Sequence, residues 1–248
     1  MMPRTSRAIV AGHCYHVLNR GNNRMRLFHD RADYIAVLWL LAESLDEFDL
    51  PVLAACVMPN HLHLVMRPNR DEDIARWAHW FFTTHARRYH KKYETSGRVW
   101  QGRFKASVVQ ADEHLLILLR YVERNALSAN LVERAEDWEW GSLRWRLRGN
   151  GPIRLMPSPL PLPSTWPDYV NEPQTASEVE EIRRAVGRQA PYGEQSWCAL
   201  KAQELGLELA VRPRGRPRSR IVARCPPPQS TAPPLRLYNS RSPMPGSP

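Results

Sequence analysis

Residues 51–68 read PVLAACVMPNHLHLVMRP, two apolar runs separated by Pro59 and Asn60. The first run, residues 51–59, is typical of a buried strand. The second run, residues 61–68, resumes an extended pattern, and Pro-Asn is a common turn sequence between two strands. The segment therefore predicts a β-hairpin.

The flanking segments extend this hairpin into a recognisable topology. Residues 13–20 (HCYHVLNR) and 104–110 predict strands. Helical periodicity predicts helices over 31–48 and 71–93, and a third over 112–127, with Asp30 and Asp112 as N-caps of the first and third helices. The order β-α-β-β-α-β-α predicts an α+β fold, the ferredoxin-like split βαβ antiparallel sheet with helices on one face.

Proline positions predict the domain organisation. All but four of the 22 prolines lie beyond residue 150, and such enrichment is typical of linkers and unpacked chain. We expect a catalytic domain over 1–150, a Pro-rich linker over 151–177, and a short helical segment with an arginine-rich arm over 178–220. Residues 221–248 are expected to form a disordered tail.

Composition limits the class of protein and of partner. The 248 residues are 43% apolar and 24% charged, which excludes collagen-like, coiled-coil and wholly disordered chains. The net charge of +10 favours nucleic acid as the partner. The four cysteines form no CxxC pair, so they suit a reducing cytoplasm, and no apolar run approaches the length of a membrane span.

Two groups of residues are candidates for catalysis. His61 and His63 point to the same face of a strand, where two imidazoles can bind one divalent cation; a polar cleft without metal is the alternative. Tyr121 and Asn125 share one face of the third helix. The Asn125 amide is a candidate third ligand, and Tyr121 a candidate nucleophile toward phosphate; alternatively Tyr121 packs in the core with its hydroxyl at the rim.

Longer motifs carry a resemblance to a known family. Three segments, in their order along the chain, resemble the REP-associated tyrosine transposases, which are HUH single-tyrosine endonucleases. The segments are CVMPNHLHLVMRP, VWQGRFKAS and LLRYVERNALSANLV. YHVLNRGNNR near the start and residues 191–218 extend the match over most of the chain. The resemblance implies that His61 and His63 bind the metal, that Asn125 is the third ligand and that Tyr121 is the nucleophile.

The resemblance also implies a substrate and a cofactor. Enzymes of this type bind imperfect palindromic hairpins in single-stranded DNA and nick beside them. They use Mg²⁺ or Mn²⁺ and no nucleotide cofactor, because the phosphotyrosine retains the energy of the broken bond. The expected location is the bacterial cytoplasm, in association with the nucleoid, with no membrane contact.

Basic and amide side chains predict the DNA-binding surface. They lie after the first strand, along the second helix, before the fourth strand and in the arginine-rich arm, where the last 38 residues hold eight arginines and no acidic residue. For the cluster after the first strand, a solvated surface turn is the alternative. The candidates are Arg20, Asn22, Asn23, Arg24, Arg87, Arg88, Lys91, Gln101, Arg103, Lys105, Arg212, Arg214, Arg216 and Arg218.

The sequence leaves two competing functions and several properties open. A repeat-hairpin DNA-binding protein that does not cleave is one alternative, and a metal-dependent nucleotide phosphohydrolase is another. The sequence does not distinguish a monomer from a homodimer, or a tyrosine acting in cis from one acting in trans. It leaves open the hairpin and cleavage sequences, the metal used in the cell, the choice between transposition and repeat maintenance, and the role of residues 221–248.

Overall fold

The protein is described by a computed structural model that covers residues 9–212. Within this range the chain forms one four-stranded antiparallel sheet surrounded by helices. The elements are β1 Cys14–Arg20, α1 Arg31–Glu47, β2 Val52–Met58, β3 His61–Met66, α2 Asp73–Tyr93, β4 Lys105–Val109, α3 Glu113–Glu123, α4 Asn125–Ser128, α5 Ser142–Arg148, α6 Trp166–Asn171, α7 Ala176–Arg188, α8 Gln195–Glu204 and α9 Glu208–Val211. The strand order β2-β3-β1-β4 confirms the predicted ferredoxin-like α+β topology.

The predicted hairpin forms with Pro59 and Asn60 as its two-residue turn. Met58 pairs with His61 across the turn, and this register continues to the pair Ala54 and Val65, beyond which it shifts before Val52. The Pro59 carbonyl accepts hydrogen bonds from the backbone N–H groups of Leu27 and Phe28, which tie the preceding loop to the turn. Because side chains alternate along a strand, this register directs the even-numbered positions of β3 to one face and the odd-numbered positions to the other.

Helices α1 and α2 cover one face of the sheet and bury the larger apolar cluster. Leu62 and Leu64 of β3 belong to this cluster, together with Trp77 and Phe81 of α2. The N-terminus of α1 is closed by a capping box at Asp30, as the sequence predicts. The expected helix and strand ends agree with the observed ones within two or three residues, except in the third helix.

Helix α3 packs on the opposite face of the sheet, where a second apolar cluster includes Leu115 and Leu118 of α3 and Val65 of β3. The helices therefore cover both faces of the sheet, and not one face as the sequence predicts, because α3 has its own apolar side to bury. Asp112 caps the start of α3 by accepting from the backbone N–H of His114. The single helix predicted over 112–127 is divided at Arg124, where α3 ends and α4 begins. The backbone of Arg124 keeps right-handed helical angles, so the one-turn relation between positions 121 and 125 is preserved.

Packed structure continues beyond residue 150, through the segment predicted as a linker. Leu155 forms a parallel bridge with Val52, and the backbone N–H of Met156 donates to the Val52 carbonyl. Ile153 and Trp166 are buried at 5% and 3% exposure. Apolar side chains between the prolines therefore attach residues 151–177 to the sheet, and residues up to 212 form one compact unit with it.

The helices α7, α8 and α9 account for the helical segment predicted from residue 178 onward. Ile182 and Ala185 of α7 join the cluster on the α3 side of the sheet. Within the described range no helix has both the length and the apolarity to cross a membrane. The predicted DNA-binding residues Arg214, Arg216 and Arg218, and the tail 221–248, lie outside the described residues.

Candidate active site

Three histidines lie side by side on the α3 face of the sheet. His61 and His63 alternate with Leu62 on β3, and His16 lies on the neighbouring strand β1. The ring centroids of His61 and His63 are 4.9 Å apart, and those of His16 and His63 are 5.1 Å apart. His16 and His63 are buried, at 1% and 3% exposure, whereas His61 is partly exposed at the end of its strand.

The turn residue Asn60 determines which nitrogen of His61 carries the proton. Its Nδ2 donates to the Arg24 carbonyl at 3.0 Å, so its Oδ1 is the amide atom that lies 2.6 Å from His61 Nδ1. An amide oxygen only accepts, and therefore His61 Nδ1 donates this bond. A neutral His61 then keeps a free lone pair on Nε2.

His63 has a partner on each ring nitrogen. Its Nδ1 lies 2.8 Å from Nε2 of His16. Its Nε2 lies 3.5 Å from the side-chain amide of Asn125, at the start of α4. The structure therefore brings together the three residues that the sequence predicts as metal ligands.

Burial keeps these imidazoles neutral at neutral pH. It lowers the pKa of His16 to about 3, and together with the nearby Arg20 guanidinium it lowers the pKa of His61 to about 4. Burial also lowers the pKa of His63 well below its usual value, with further contributions from the neighbouring histidines and from Arg20 and Arg183. Metal ligation requires neutral imidazole, so this environment favours the ligand form.

Tyr121 lies beside the histidines. Its ring meets that of His63 edge-on, with centroids 5.7 Å apart, and that of His16 at 6.1 Å. Tyr121 is partly exposed, so its ring packs at the edge of the second cluster. The position resembles the rim packing expected for a core tyrosine, but it also places the phenol next to the candidate ligands.

The chemistry of this donor set fits a divalent cation. Among residues 9–212, no group of three or more His, Cys, Asp and Glu side chains is arranged to hold a metal ion. The candidate third ligand at this position is Asn125, whose amide can present its oxygen by rotating about its last bond. Two imidazoles and an amide oxygen suit Mn²⁺ or Mg²⁺, with imidazole favouring Mn²⁺.

A group of predicted DNA-binding residues surrounds the exposed end of this site. Arg20 pairs with His61 across β1 and β3, and its Nε is buried without a hydrogen-bond partner among the described residues. The backbone N–H of Gln101 donates to the Arg20 carbonyl, and that of Asn22 donates to Val99. These bonds hold two loops side by side. The exposed side chains on and next to these loops are Asn23, Arg24, Gln101, Arg103 and Lys105.

A glycine permits the close contact in the first of these loops. A Cβ atom at Gly21 would lie 2.4 Å from the Met25 carbonyl oxygen, closer than any real Cβ contact. The next residues form a short 3-10 helix over Asn22–Arg24 in which Asn23 and Arg24 have positive φ angles of 49° and 61°. Asn tolerates this conformation better than most residues.

Other predicted DNA-binding residues lie away from the histidines. Arg87, Arg88 and Lys91 are exposed on α2, which packs on the opposite face of the sheet. Arg88 lies 4.0 Å from Glu43 of α1. Arg212 is exposed after α9, at the end of the described range.

Three residues of this neighbourhood are not among the candidates drawn from the sequence. His16 contacts His63, Asn60 contacts His61, and Arg183 of α7 adds positive charge near His63. Strand alternation predicts only that His16 faces away from Tyr15 and Val17 on β1, not that it contacts His63. Asn60 shows only turn chemistry in the sequence, and Arg183 resembles any exposed helical arginine.

Comparisons with known proteins concern the same segment. Residues 9–125 match the family described as "Transposase IS200 like". A curated Haemophilus influenzae protein that bears the name of a REP-associated tyrosine transposase is 28% identical over 111 residues, which are 40% of this chain. The match spans 62% of the length of that relative.

A solved REP-associated tyrosine transposase bound to a REP hairpin has a TM-score of 0.48 and 18% identity to this chain, over 63% of this chain and 92% of that one. The family match includes every candidate ligand and the candidate nucleophile, with Asn125 as its last residue. The segment 9–125 is therefore similar to the IS200-like transposases, and the curated relative agrees with the resemblance to REP-associated tyrosine transposases found in the sequence.

Proposed function

We propose that this protein is a metal-dependent endonuclease and strand transferase for single-stranded DNA. It binds hairpins of the repetitive extragenic palindrome type and nicks beside them through a phosphotyrosine intermediate. The observation that carries this proposal is the position of Tyr121, edge-on to His63 and one helical turn before Asn125, which itself contacts His63.

Each residue of the site has a role in this reaction. His61 and His63, through Nε2, and Asn125, through its amide oxygen, would hold Mg²⁺ or Mn²⁺. The bound cation supplies Lewis acidity that polarises the scissile phosphate. The Tyr121 hydroxyl loses its proton as its oxygen forms a bond to phosphorus, and the bond from phosphorus to the 3′ oxygen breaks to leave a 3′ hydroxyl.

The covalent intermediate explains why no nucleotide cofactor is needed. The phosphotyrosine keeps a phosphodiester-like bond, so a 3′ hydroxyl can attack it and release Tyr121. Cleavage and joining are the two directions of one exchange. We place this activity in the bacterial cytoplasm, at the nucleoid, and leave open whether the active form is a monomer or a homodimer.

The DNA surface is proposed on charge and position. Two loops border the histidines, and a DNA strand bound there would bring its phosphate to Tyr121. These loops carry Arg20, Asn22, Asn23, Arg24, Gln101, Arg103 and Lys105. The net charge of +10 supports a polyanionic substrate. The Haemophilus influenzae relative is named as REP-associated, which supports DNA of the repetitive extragenic palindrome type as that substrate. We propose that Arg212, Arg214, Arg216 and Arg218 contact phosphates of the hairpin stem, while Arg87, Arg88 and Lys91 on the far face add weaker attraction.

The test is formation of a covalent protein–DNA adduct. Labelled single-stranded hairpin oligonucleotides with varied flanks are incubated with the full chain in Mn²⁺ or in EDTA. We expect an adduct in Mn²⁺ alone, and its loss in Tyr121→Phe with hairpin affinity unchanged. Tyr93→Phe is the matched control, because the Tyr93 hydroxyl donates to Asp33 on the α1–α2 side of the sheet.

Two results would contradict the proposal. An adduct that persists in Tyr121→Phe would move the nucleophile to another residue. Tight hairpin binding by the wild type with no adduct for any flank would instead support the alternative of a repeat-binding protein that does not cleave.

A further inference from the structure

His16 lies beneath the candidate metal site, where it contacts a candidate ligand. It occupies the middle of β1, between β3 and β4, with 1% of its surface exposed. Its Nε2 lies 2.8 Å from His63 Nδ1, on the side of the His63 ring away from Asn125. No role in the proposed reaction has so far been given to this side chain.

The geometry of the two rings identifies the contact as a hydrogen bond within a nearly common plane. The ring planes differ by 17°, while the centroids are 5.1 Å apart and the two nitrogens 2.8 Å apart. Rings stacked face to face would not combine so wide a centroid separation with so short a nitrogen–nitrogen distance. The rings therefore meet edge to edge, and one imidazole N–H donates to the lone pair of the other.

The direction of this bond follows from what His63 must do at its other nitrogen. A neutral imidazole carries one N–H and one lone pair. If Nε2 of His63 is to bind a cation beside Asn125, its proton must be on Nδ1. Nδ1 then donates to His16 Nε2, which accepts, and the proton of His16 resides on its own Nδ1.

We propose that His16 is a positioning residue that holds His63 as the Nδ1–H tautomer and directs the lone pair of His63 Nε2 toward the cation. The inference rests on the proposed function for the presence of that cation. Metal-binding histidines commonly donate their second nitrogen to a carboxylate or carbonyl, which fixes the ring orientation. In this chain a second imidazole supplies the acceptor.

An imidazole acceptor suits a site that receives DNA. A carboxylate behind His63 would place a negative charge close to the scissile phosphate, and the two would repel each other in a poorly hydrated environment. A neutral His16 provides a lone pair without adding charge. His61 has an equally uncharged partner in the amide of Asn60, so both candidate ligands are oriented by neutral groups.

The first test measures the tautomer without metal or DNA. ¹⁵N spectra of the metal-free full chain, labelled at histidine, distinguish a protonated from an unprotonated Nδ1 of His63. We expect a protonated Nδ1 in the wild type and mixed tautomers in His16→Leu. His16→Gln restores the wild-type pattern, because its amide oxygen is as many bonds from Cα as Nε2 of histidine. Ser107→Ala is the matched control, since Ser107 is a buried polar residue opposite His16 on β4.

The second test measures Mn²⁺ affinity by titration of the same four proteins. Loss of a partner of this kind weakens metal binding by about 10- to 100-fold, and we expect this in His16→Leu, with recovery in His16→Gln and no change in Ser107→Ala. Two results would overturn the inference: Mn²⁺ binding of equal, measurable affinity in wild type and His16→Leu, or an unprotonated Nδ1 of His63 in the wild type. A wild type that binds no Mn²⁺ but shows the expected tautomers would refute the proposed metal site and leave the orienting role of His16 supported.

Discussion

Glu123, on the helix that carries Tyr121, forms an ion pair with the partly buried Arg146. Arg146 Nη2 lies 3.2 Å from Glu123 Oε1, and the Glu123 side chain has no exposed surface. The same carboxylate accepts from the Ser142 hydroxyl at 2.7 Å and from Trp166 Nε1 at 2.7 Å. Glu123 thus joins α3 to α5 and α6, and it does so two residues after the candidate nucleophile.

Removal of the Glu123 carboxylate is expected to destabilise the fold strongly. Glu123→Ala leaves Arg146 partly buried without its counterion, and breaking such a pair costs about 3–5 kcal/mol. Arg134→Ala is the comparison, because Arg134 pairs with Glu136 at an exposed position where ion pairs contribute about 0–1 kcal/mol. Urea unfolding gives both free energies. A loss below about 1 kcal/mol in Glu123→Ala would contradict the structure.

Acid is expected to destabilise the protein through its buried histidines. Burial lowers the pKa of His16 to about 3 and that of His85 to about 4, and burial with Arg20 lowers that of His61 to about 4. In the unfolded chain a histidine titrates near pH 6.5. Below that pH the unfolded state binds more protons, so stability falls as pH decreases toward 4, by up to about 1.4 kcal/mol per pH unit for each group.

The pH dependence can be measured in urea at pH 7 and pH 5. The midpoint is expected to be lower at pH 5, and the difference is expected to shrink in His85→Leu, which removes one such histidine far from the DNA site. An unchanged midpoint between the two pH values would mean that these histidines take up protons equally in the folded and unfolded states.

Arg20 is expected to contribute to hairpin binding through a phosphate. Its buried Nε has no partner within residues 9–212, and its charge lies next to His61 and His63. Arg20→Gln is expected to weaken binding and to reduce the slope of log affinity against log salt by about 1. Arg76→Gln, an exposed change on α2, is the control. An unchanged slope in Arg20→Gln would remove Arg20 from the phosphate contacts.

Local patterns were sufficient to predict the sheet, its three main helices and the cap residues, but they did not predict that α3 lies on the face opposite α1 and α2. The alternation in residues 51–68 predicted which side chains of β3 share a face, because that depends only on strand geometry. Residues 151–177 were the exception, since proline enrichment indicates unpacked chain while Ile153, Trp166 and Val170 are buried. Whether apolar residues between prolines find a surface to cover depends on the rest of the fold.

The candidate site was predictable where its residues belong to one element and less so where they meet across elements. The pairs His61–His63 and Tyr121–Asn125 each follow from the spacing in a single strand or helix. The contact between His16 and His63 requires β1 to lie beside β3, with positions 16 and 63 close in register. No local pattern encodes that contact, so the sequence alone did not identify His16.

The two-residue turn at Pro59 and Asn60 sets the register of β3 against β2, because Met58 and His61 pair directly across it. A slip of β3 by one position would turn Leu62 and Leu64 toward Tyr121 and carry the imidazoles into the apolar cluster under α1 and α2. A longer connection would keep the imidazoles beside Tyr121 only if the pairing of Met58 with His61 were preserved. We therefore expect homologous domains to keep this connection short.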